Sequence, residues 1–262
     1  GSAPFDIAQA DDYVSLLEAH HIMAKRDQRR AFIARESEAV ANSVGGHIPE
    51  DPELLDEVTN LVEQPNPFLG AFEERYLTLP SQVLVAVMKK HQRTFPILDD
   101  GQTLPGEMLP YFVAVRNGDD EHLDIVRHGN EEVIRARFAD AEFFYEEDTE
   151  QPLEGFLPRL DTLTFQEKLG SVLDKTHRLE QLVAELAPMV DLDARETELA
   201  QRAAHLCKAD LATQMVVEHT SLQGVMGREY ALRSGERPEV AQAIFEHYLP
   251  RSADDQLPES RI

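Results

Sequence analysis

The sequence predicts an α+β fold: an α+β domain with antiparallel strands and flanking helices, followed by an all-helical domain. Two observations support this. Residues 89–148 contain two short strand-like runs followed by one long helix-like run. Beyond residue 152, apolar residues recur mainly at helical spacing. We therefore expect an α+β domain over residues 1–152, a helical domain over 153–250, and a frayed tail or linker over 251–262.

Length and composition agree with two packed domains. The chain has 262 residues, of which 42% are apolar and 28% charged, which is ordinary for a globular protein of this size. No apolar run is long enough to cross a bilayer, so we expect no membrane association. The single cysteine, Cys207, excludes an internal disulfide and favours a cytoplasmic protein.

The net charge of −24 limits the partners that the surface can bind. An acidic surface repels nucleic acid, so any nucleic-acid binding must come from a local basic face. The alternative is that the acidity serves solubility alone. Charge by itself leaves both interpretations open.

The first predicted domain begins with helices. Apolar spacing predicts them around residues 13–17, 31–40, 53–61 and 82–91. Residues 95–98 and 111–115 are short apolar or alternating runs, and Asn117-Gly118 follows the second. We expect these two runs to be strands that pair antiparallel with each other.

A long helix follows from about residue 130. Val133, Ile134, Arg137, Phe138 and Ala141 recur at three- and four-residue spacing, which predicts one buried stripe. Arg135 and Asp140 should lie off that stripe. Arg137 and Asp140 are spaced to form an ion pair one helical turn apart. Beyond the first domain, the same reasoning predicts helices over residues 160–170, 171–187, 196–207, 211–233 and 238–248.

Several long segments carry a resemblance to a known family. They read HQRTFPI, VRNGDDEHLDIVRHGNEEVIRARFADAEFFYEED, FQEKLGSVLDKTHRLEQL and KADLATQMVVEHTSLQGVMGREYA. In this order they resemble the β subunit of bacterial-type heterotetrameric glycyl-tRNA synthetase, from about residue 54 to residue 250. That subunit is longer at both ends, so we expect an internal fragment. The start, Gly1-Ser2, is typical of a scar left by protease cleavage.

The resemblance implies a division of labour between subunits. In the family, the α subunit activates glycine with ATP and Mg, while the β subunit binds tRNA and is required for transfer of glycine. This fragment should therefore have no catalytic residue, metal or cofactor of its own. Its expected partners are tRNA-Gly, the α subunit and the remaining β-subunit domains. The first domain is similar to the editing-type domain of phenylalanyl-tRNA synthetase β subunits, although a shared fold does not establish editing.

Basic and amide side chains around the predicted strands and helix are candidates for binding tRNA. Double-helical RNA is recognised largely through its shape, phosphates and 2′-hydroxyls, so a few such residues on rigid elements would suffice. Lysines at a helix end also stabilise the helix dipole, which is the structural alternative for the first two. The candidates are Lys89, Lys90, Arg93, Arg116, Asn117, Arg127, Asn130 and Arg135.

The helical half resembles a His-Asp (HD) phosphohydrolase domain that has lost its metal site. His177 stands on the segment similar to the first HD helix, whereas Cys207 and Lys208 stand where the His-Asp pair is expected. A protonated lysine cannot ligate a metal, so we expect no metal there. Asp210 lies two residues beyond the expected place. Other residues that could rebuild a ligand set are His205, Glu218, His219, Glu246 and His247.

Two alternatives to tRNA positioning therefore remain open. One is a metal-dependent HD-type phosphohydrolase that uses the helical half. The other is a structural spacer that joins subunits and makes no contact with RNA.

Overall fold

The computed structural model describes residues 6–99, 107–253 and 255–262; Gly1-Ser2 lies outside this part. The chain divides into two compact units, Gly1–Asp140 and Ala141–Ile262. We call them the first and second units. The α+β prediction is confirmed, and helices make up most of the described chain.

Helices flank a four-stranded antiparallel sheet in the first unit. The sheet order is β1-β3-β4-β2. Its core joins Ile33, Val58, Ile97 and Val113, which come from two helices and two strands. The elements are α1 (Tyr13–Ala19), α2 (Arg26–Asn42), β1 (Gly46–His47), α3 (Pro52–Leu61), β2 (Pro65–Ala71), α4 (Ser81–Val87), β3 (Phe95–Asp99), β4 (Met108–Asn117) and α5 (Leu123–Thr149), whose last turns belong to the second unit.

The predicted strand pair is present, and a further strand extends the sheet. β3 and β4 pair antiparallel with Phe95 opposite Val113, which confirms the prediction. β2 pairs along β4 from Pro65 opposite Asn117 to Ala71 opposite Tyr111. The sequence did not indicate this strand because prolines usually interrupt strands. Here β2 is an edge strand, where a missing backbone donor is tolerated.

The long helix α5 begins earlier than its apolar pattern predicts, at Leu123. Ile134, Phe138 and Ala141 are fully buried, as expected. Val133 and Arg137 were wrongly assigned to the buried stripe. Val133 is 38% exposed and the Arg137 side chain 47% exposed, because both are rotated about the helix axis away from Ile134. Arg137 pairs with Asp140 at 3.4 Å, which confirms that prediction.

The described part of the second unit is helical apart from one hairpin and the connecting loops. Leu153, Phe156 and Ile244 are among its most buried side chains. None of the described helices is long and apolar enough to span a membrane. The elements are a 3₁₀ segment (Leu153–Thr162), β5 (Thr164–Gln166), β6 (Gly170–Ser171), α6 (Val172–Leu186), α7 (Ala194–Leu206), α8 (Gln214–Glu218), α9 (Val225–Arg233) and α10 (Pro238–Glu246).

Two of the predicted helices in this unit are wrong. Residues 160–170 form the end of the 3₁₀ segment and most of the hairpin, and Gly170 adopts a φ of +80° at the second strand. Residues 211–233 are interrupted before α9, where Gly224 has a φ of +78°. Left-handed backbone of this kind favours glycine and ends regular helix geometry. The spacing of apolar residues continues across both breaks, which is why periodicity alone missed them.

Candidate functional site

The candidate tRNA-binding residues of the first unit lie at element ends and on one helix. Lys89 and Lys90 occupy a π-helical turn, Met88–Gln92, that continues α4, and Arg93 follows it with a left-handed φ of 49°. The others stand at the end of β4 or on α5, and they are Arg116, Asn117, Arg127, Asn130 and Arg135.

Most of these cations face carboxylates of the same unit. Lys89 Nζ lies 2.5 Å from Asp51, and Arg93 Nε lies 2.7 Å from Glu57. Both partners belong to the α3 region, Asp51 as its N-cap and Glu57 within the helix. These pairs bring Lys89 and Arg93 to the same helix and neutralise their charges.

Two arginines near and on α5 are neutralised in the same way. Arg135 contacts Glu73 at 3.0 Å and Glu132 at 2.7 Å. Arg116 lies 3.7 Å from the Asp119 carboxylate and donates to the backbone carbonyl of Glu121 at 2.5 Å. An RNA phosphate would have to compete with these carboxylates for each guanidinium.

The two amides hold local structure. Asn117 Oδ1 accepts hydrogen bonds from the backbone N–H groups of Glu63 and Gln64, at 3.0 and 2.9 Å, and so ties the end of β4 to the residues before β2. Asn130 Nδ2 donates to the Val126 carbonyl one turn earlier in α5, at 2.8 Å. Each amide therefore has a structural hydrogen bond within the first unit.

Arg127 differs from the other arginines in this set. It is exposed on α5, and no carboxylate lies within ion-pair distance of it in the part of the chain that the structure describes. Lys90 is also exposed. Among the eight candidates, Arg127 therefore presents a full positive charge to solvent.

In the second unit, the HD-like positions are organised around a lysine. Lys208 Nζ lies 2.7 Å from His247 Nε2, and His247 Nδ1 lies 2.6 Å from the Ile244 carbonyl oxygen. A carbonyl can only accept, so Nδ1 donates and Nε2 accepts from the Lys208 ammonium. The pKa of His247 is lowered to about 4. Partial burial of the ring is the larger cause, and the positive charge of Lys208 is the second.

The same lysine lies against an aromatic ring. Its Nζ is 4.0 Å from the centre of the Tyr248 ring, within cation–π distance. Burial lowers the pKa of Lys208. The imidazole lone pair that a divalent metal would need is thus occupied by an ammonium proton, and the donor set does not fit a metal.

Asp210 and Cys207 are buried structural groups. Asp210 Oδ2 accepts from the backbone N–H groups of Gly224 at 2.6 Å and Gly227 at 3.2 Å, where α9 begins. Burial raises the pKa of Asp210 to about 6. The Cys207 thiol donates to the Ala204 carbonyl, and burial raises its pKa to about 11, so it is a poor nucleophile.

The remaining HD-like residues are not arranged around a common point where a metal ion could bind. His177 is exposed on α6, beside the fully buried Thr176. His205 lies between Glu180 at 2.6 Å and Glu154 at 3.1 Å. Across the described ranges, no group of three or more His, Cys, Asp or Glu side chains is arranged to hold a metal ion.

The second unit also contains two polar clusters that the sequence did not indicate. In the first, Arg202 contacts Glu154 at 3.0 Å and Glu236 at 2.5 Å, and hydrogen bonding to Arg202 lowers the pKa of Glu154 to about 2. Asp148 is buried and accepts from two backbone N–H groups at the start of α8 and from the Tyr230 hydroxyl. No local motif marks these residues, because their partners are distant in sequence.

Comparison with known proteins identifies the class as subunits of aminoacyl-tRNA ligases. A family profile described as glycyl-tRNA synthetase beta subunit matches residues 1–262. The chain belongs to the glycyl-tRNA synthetase beta subunit family.

Individual relatives agree with the family profile. The "Glycine--tRNA ligase beta subunit" of Gloeothece citriformis (strain PCC 7424) is 49% identical over 255 residues, covering 97% of this chain and 36% of the relative. The protein of the same name from Clostridioides difficile (strain 630) is 46% identical over 260 residues, covering 99% of this chain and 37% of the relative. The chain thus spans little more than a third of the length of these relatives.

Proposed function

We propose that this chain is the part of a glycine–tRNA ligase β subunit that binds tRNA-Gly and positions it for the α subunit. It thereby supports the ATP-dependent attachment of glycine. The observation that carries the proposal is the family match over all 262 residues, together with relatives named as this subunit at 46–49% identity. The partners in this proposal are tRNA-Gly, the α subunit and the other β-subunit domains, in the cytoplasm.

In this proposal the chain contributes no catalytic residue, and the α subunit uses ATP and Mg. Residues 1–152 correspond to the editing-type domain and residues 153–250 to a degenerate HD domain. The inert, buried Cys207 and the ammonium of Lys208 support the second assignment, because an HD hydrolase needs an imidazole and a carboxylate at those two places. The same chemistry disfavours metal-dependent phosphohydrolysis as an alternative.

The structural-spacer alternative differs from our proposal in one measurable respect, which is contact with RNA. Arg127 supports such contact, since its charge is not neutralised within the described part of the first unit. A phosphate near Arg127 would gain a charge-assisted hydrogen bond without breaking an existing ion pair. Contacts by Arg116 or Arg135 would first require their carboxylate partners to be displaced.

Fluorescence anisotropy with labelled tRNA-Gly, measured over a series of salt concentrations, tests this proposal. Binding should weaken as salt increases, because phosphate contacts release counterions. Arg127→Gln should weaken binding severalfold and reduce the magnitude of the salt slope by about 1, the change expected for one lost phosphate contact. Arg137→Gln is the matched control, since it removes the same charge from α5 at a residue paired with Asp140.

The outcomes separate the alternatives. Salt-dependent binding that Arg127→Gln weakens and Arg137→Gln leaves unchanged supports tRNA binding through α5. Equal effects of the two substitutions would remove Arg127 from the proposed surface. Absence of any tRNA binding by the chain would favour the spacer.

A further inference from the structure

A cavity of about 320 Å³ lies within the first unit, between α2, α3 and β3. Helix α2 lines it with Ala34, Ser37 and Glu38, which share one face of the helix because they stand at helical spacing. Glu50, in the segment between β1 and α3, lines it as well, and both Glu50 and Ala34 are exposed. The cavity can therefore be reached from solvent. Its volume equals that of about ten water molecules in the liquid, which suits a small organic molecule.

The hydroxyl of Ser37 is buried at this cavity and unpaired. Ser37 is 2% exposed, and its Oγ has no hydrogen-bond partner among the described residues. A serine within a helix often bonds the carbonyl four residues earlier, but Ser37 does not. Buried polar atoms are nearly always hydrogen-bonded, since leaving one unpaired is costly. The hydroxyl of Ser37 thus has a hydrogen bond to offer to a molecule that enters the cavity.

The nearby cations are already neutralised. Arg30 lines the cavity, but its Nε lies 2.6 Å from the carboxylate of Asp56. Asp51 also lines the cavity, and Lys89 Nζ lies 2.5 Å from its carboxylate. Each of these charges is balanced by its own partner, so neither pair favours a charged ligand of either sign.

Two further carboxylates leave the cavity with an excess of negative charge. Neither Glu38 nor Glu50 has a cationic side chain at ion-pair distance within the described residues. One oxygen of Glu38 accepts from the backbone N–H of Ile48 at 3.1 Å, which holds this side chain at the cavity. The carboxylates of Glu38 and Glu50 and the hydroxyl of Ser37 are three acceptor groups. A primary ammonium group has three N–H donors to match them.

The rest of the lining is largely apolar. Ile48, Leu55 and Phe95 contribute to it, and Phe95 is only 3% exposed. An apolar body that leaves water for such a surface gains free energy. An inorganic cation prefers oxygen ligands and would not use this surface, while carboxylates repel an anion. The lining therefore matches a molecule that combines a cationic group with an apolar body.

We propose that this cavity binds a small organic amine. Its ammonium group donates to the carboxylates of Glu38 and Glu50 and to the Ser37 hydroxyl. Its apolar body packs against Ile48 and Phe95. The site is separate from the tRNA contact proposed on α5, and neither proposal depends on the other.

The test is an NMR titration of the 262-residue chain with three probes that share a phenyl ring. They are 2-phenylethylamine, 2-phenylethanol and 3-phenylpropionate, which are cationic, neutral and anionic at neutral pH. The amine should shift the backbone amide signals of Ser37, Ile48 and Leu55, with a dissociation constant on the order of 1 mM for a molecule of this size. The alcohol should bind at least about threefold more weakly, since it lacks the charge that the carboxylates favour. The anion should not bind.

The carboxylates are tested by neutral variants of similar shape. Glu38→Gln and Glu50→Gln should each weaken the amine about three- to fivefold, the effect of one partly exposed charge, and leave the alcohol unchanged. Glu38→Gln keeps an oxygen that can accept from Ile48. Glu53→Gln is the matched control, because it removes the same charge from an exposed residue of α3 that does not line the cavity. It should change the affinity less than about twofold, since solvent screens its charge.

Two substitutions on α2 test the hydroxyl and the cavity itself. Ser37→Ala should not destabilise the fold, because the Oγ has no partner in the described chain, and thermal unfolding checks this. It should weaken the amine about threefold through the lost hydrogen bond. Ala34→Leu, at an exposed position, fills the cavity from its solvent side and should abolish binding of the amine and of the alcohol.

Binding that prefers the amine and depends on Glu38, Glu50 and Ser37 supports the proposal. The proposal is overturned if the amine shifts none of the cavity amides, if the alcohol or the anion binds as tightly, or if Glu53→Gln has the same effect as the two site variants. Binding that survives Ala34→Leu would place the amine elsewhere and overturn it equally. None of these results bears on the binding of tRNA.

Discussion

The ammonium of Lys208 donates a hydrogen bond to Nε2 of His247 at 2.7 Å. The His247 ring is fixed from its other side by the Ile244 carbonyl, so both ring nitrogens are engaged. The ammonium of Lys208 therefore lies on the imidazole nitrogen that a metal ion would need, and it holds the His247 side chain in a fixed position.

Removing the ammonium should change the titration of His247. In Lys208→Met we expect the pKa of His247 to rise from about 4 toward its ordinary value without reaching it, because partial burial is the larger cause and remains. The measurement is an NMR titration of the His247 Cε1–H signal. Lys25→Met should leave that titration as in the unsubstituted protein. An unaltered His247 pKa in Lys208→Met would show that the two side chains do not interact in solution.

Asp210 should make the stability of the second unit depend on pH. Its folded-state pKa of about 6 lies above the ordinary value of 3.8, and Lys208 and Tyr248 face it. A raised acid pKa stabilises the fold below pH 3.8, and this contribution is lost as pH rises through about 6. The loss amounts to at most about 3 kcal/mol.

Asp210→Asn tests this dependence, since the amide oxygen can still accept from Gly224 and Gly227 but does not ionise. Urea unfolding at several pH values between about 4 and 7 should give a flatter stability profile for the variant. Parallel profiles for the two proteins would mean that Asp210 is not the group responsible.

Asp148→Asn should destabilise the second unit by about 2–4 kcal/mol, because one carboxylate oxygen is replaced by an amide that cannot accept. Three donors now point at this carboxylate, from the Gln214 and Met215 backbone and from Tyr230. Urea unfolding measures the change in free energy. Glu147→Gln, at the exposed neighbouring position, should alter it by less than about 0.5 kcal/mol. Similar values for the two variants would contradict the role assigned to Asp148.

Two glycines of the first unit should respond in opposite directions to alanine. A Cβ at Gly70 would lie 2.3 Å from the Phe112 ring on the paired strand, so Gly70→Ala should destabilise the protein by about 1–3 kcal/mol. Gly129 lies within α5 with nothing within 4 Å of its Cβ position. Gly129→Ala should therefore stabilise by about 0.5–1 kcal/mol. Thermal unfolding of both variants checks the sign, and a stabilising Gly70→Ala would show that Phe112 moves aside.

The sequence was sufficient to predict structural features that depend on local periodicity or on the spacing of nearby residues. The β3–β4 pair, the buried face of α5 at Ile134 and Phe138, and the Arg137–Asp140 ion pair all follow from it. The sequence did not predict β2, because prolines are tolerated in a strand only at the edge of a sheet. Whether β2 is an edge strand depends on the order of strands in the sheet, which no single segment of the sequence determines. The break before α9 depends on Asp210, whose hydrogen bonds to Gly224 and Gly227 are tertiary.

Prediction of the candidate site from the sequence was limited in the same way. The sequence located the lysines and arginines, but it could not indicate which of them form ion pairs with carboxylates in the folded protein. Arg93 and Arg127 are both exposed arginines, yet Glu57 lies 2.7 Å from the first, whereas no carboxylate among the described residues lies at ion-pair distance from the second. Similarly, the sequence showed a lysine at a place where the HD resemblance implies a metal ligand, but it did not show that Lys208 is hydrogen-bonded to His247, 39 residues away.

The division between the units has a practical consequence for dissecting the protein. It falls within α5, so Phe138 fills the core of the first unit while Asp148, on the last turns of the same helix, anchors α8 in the second. Severing the chain at the acidic stretch 146–150, where composition alone suggests a linker, would deprive the C-terminal half of its internal anchor. An autonomous C-terminal piece should begin no later than residue 141, where the second unit starts.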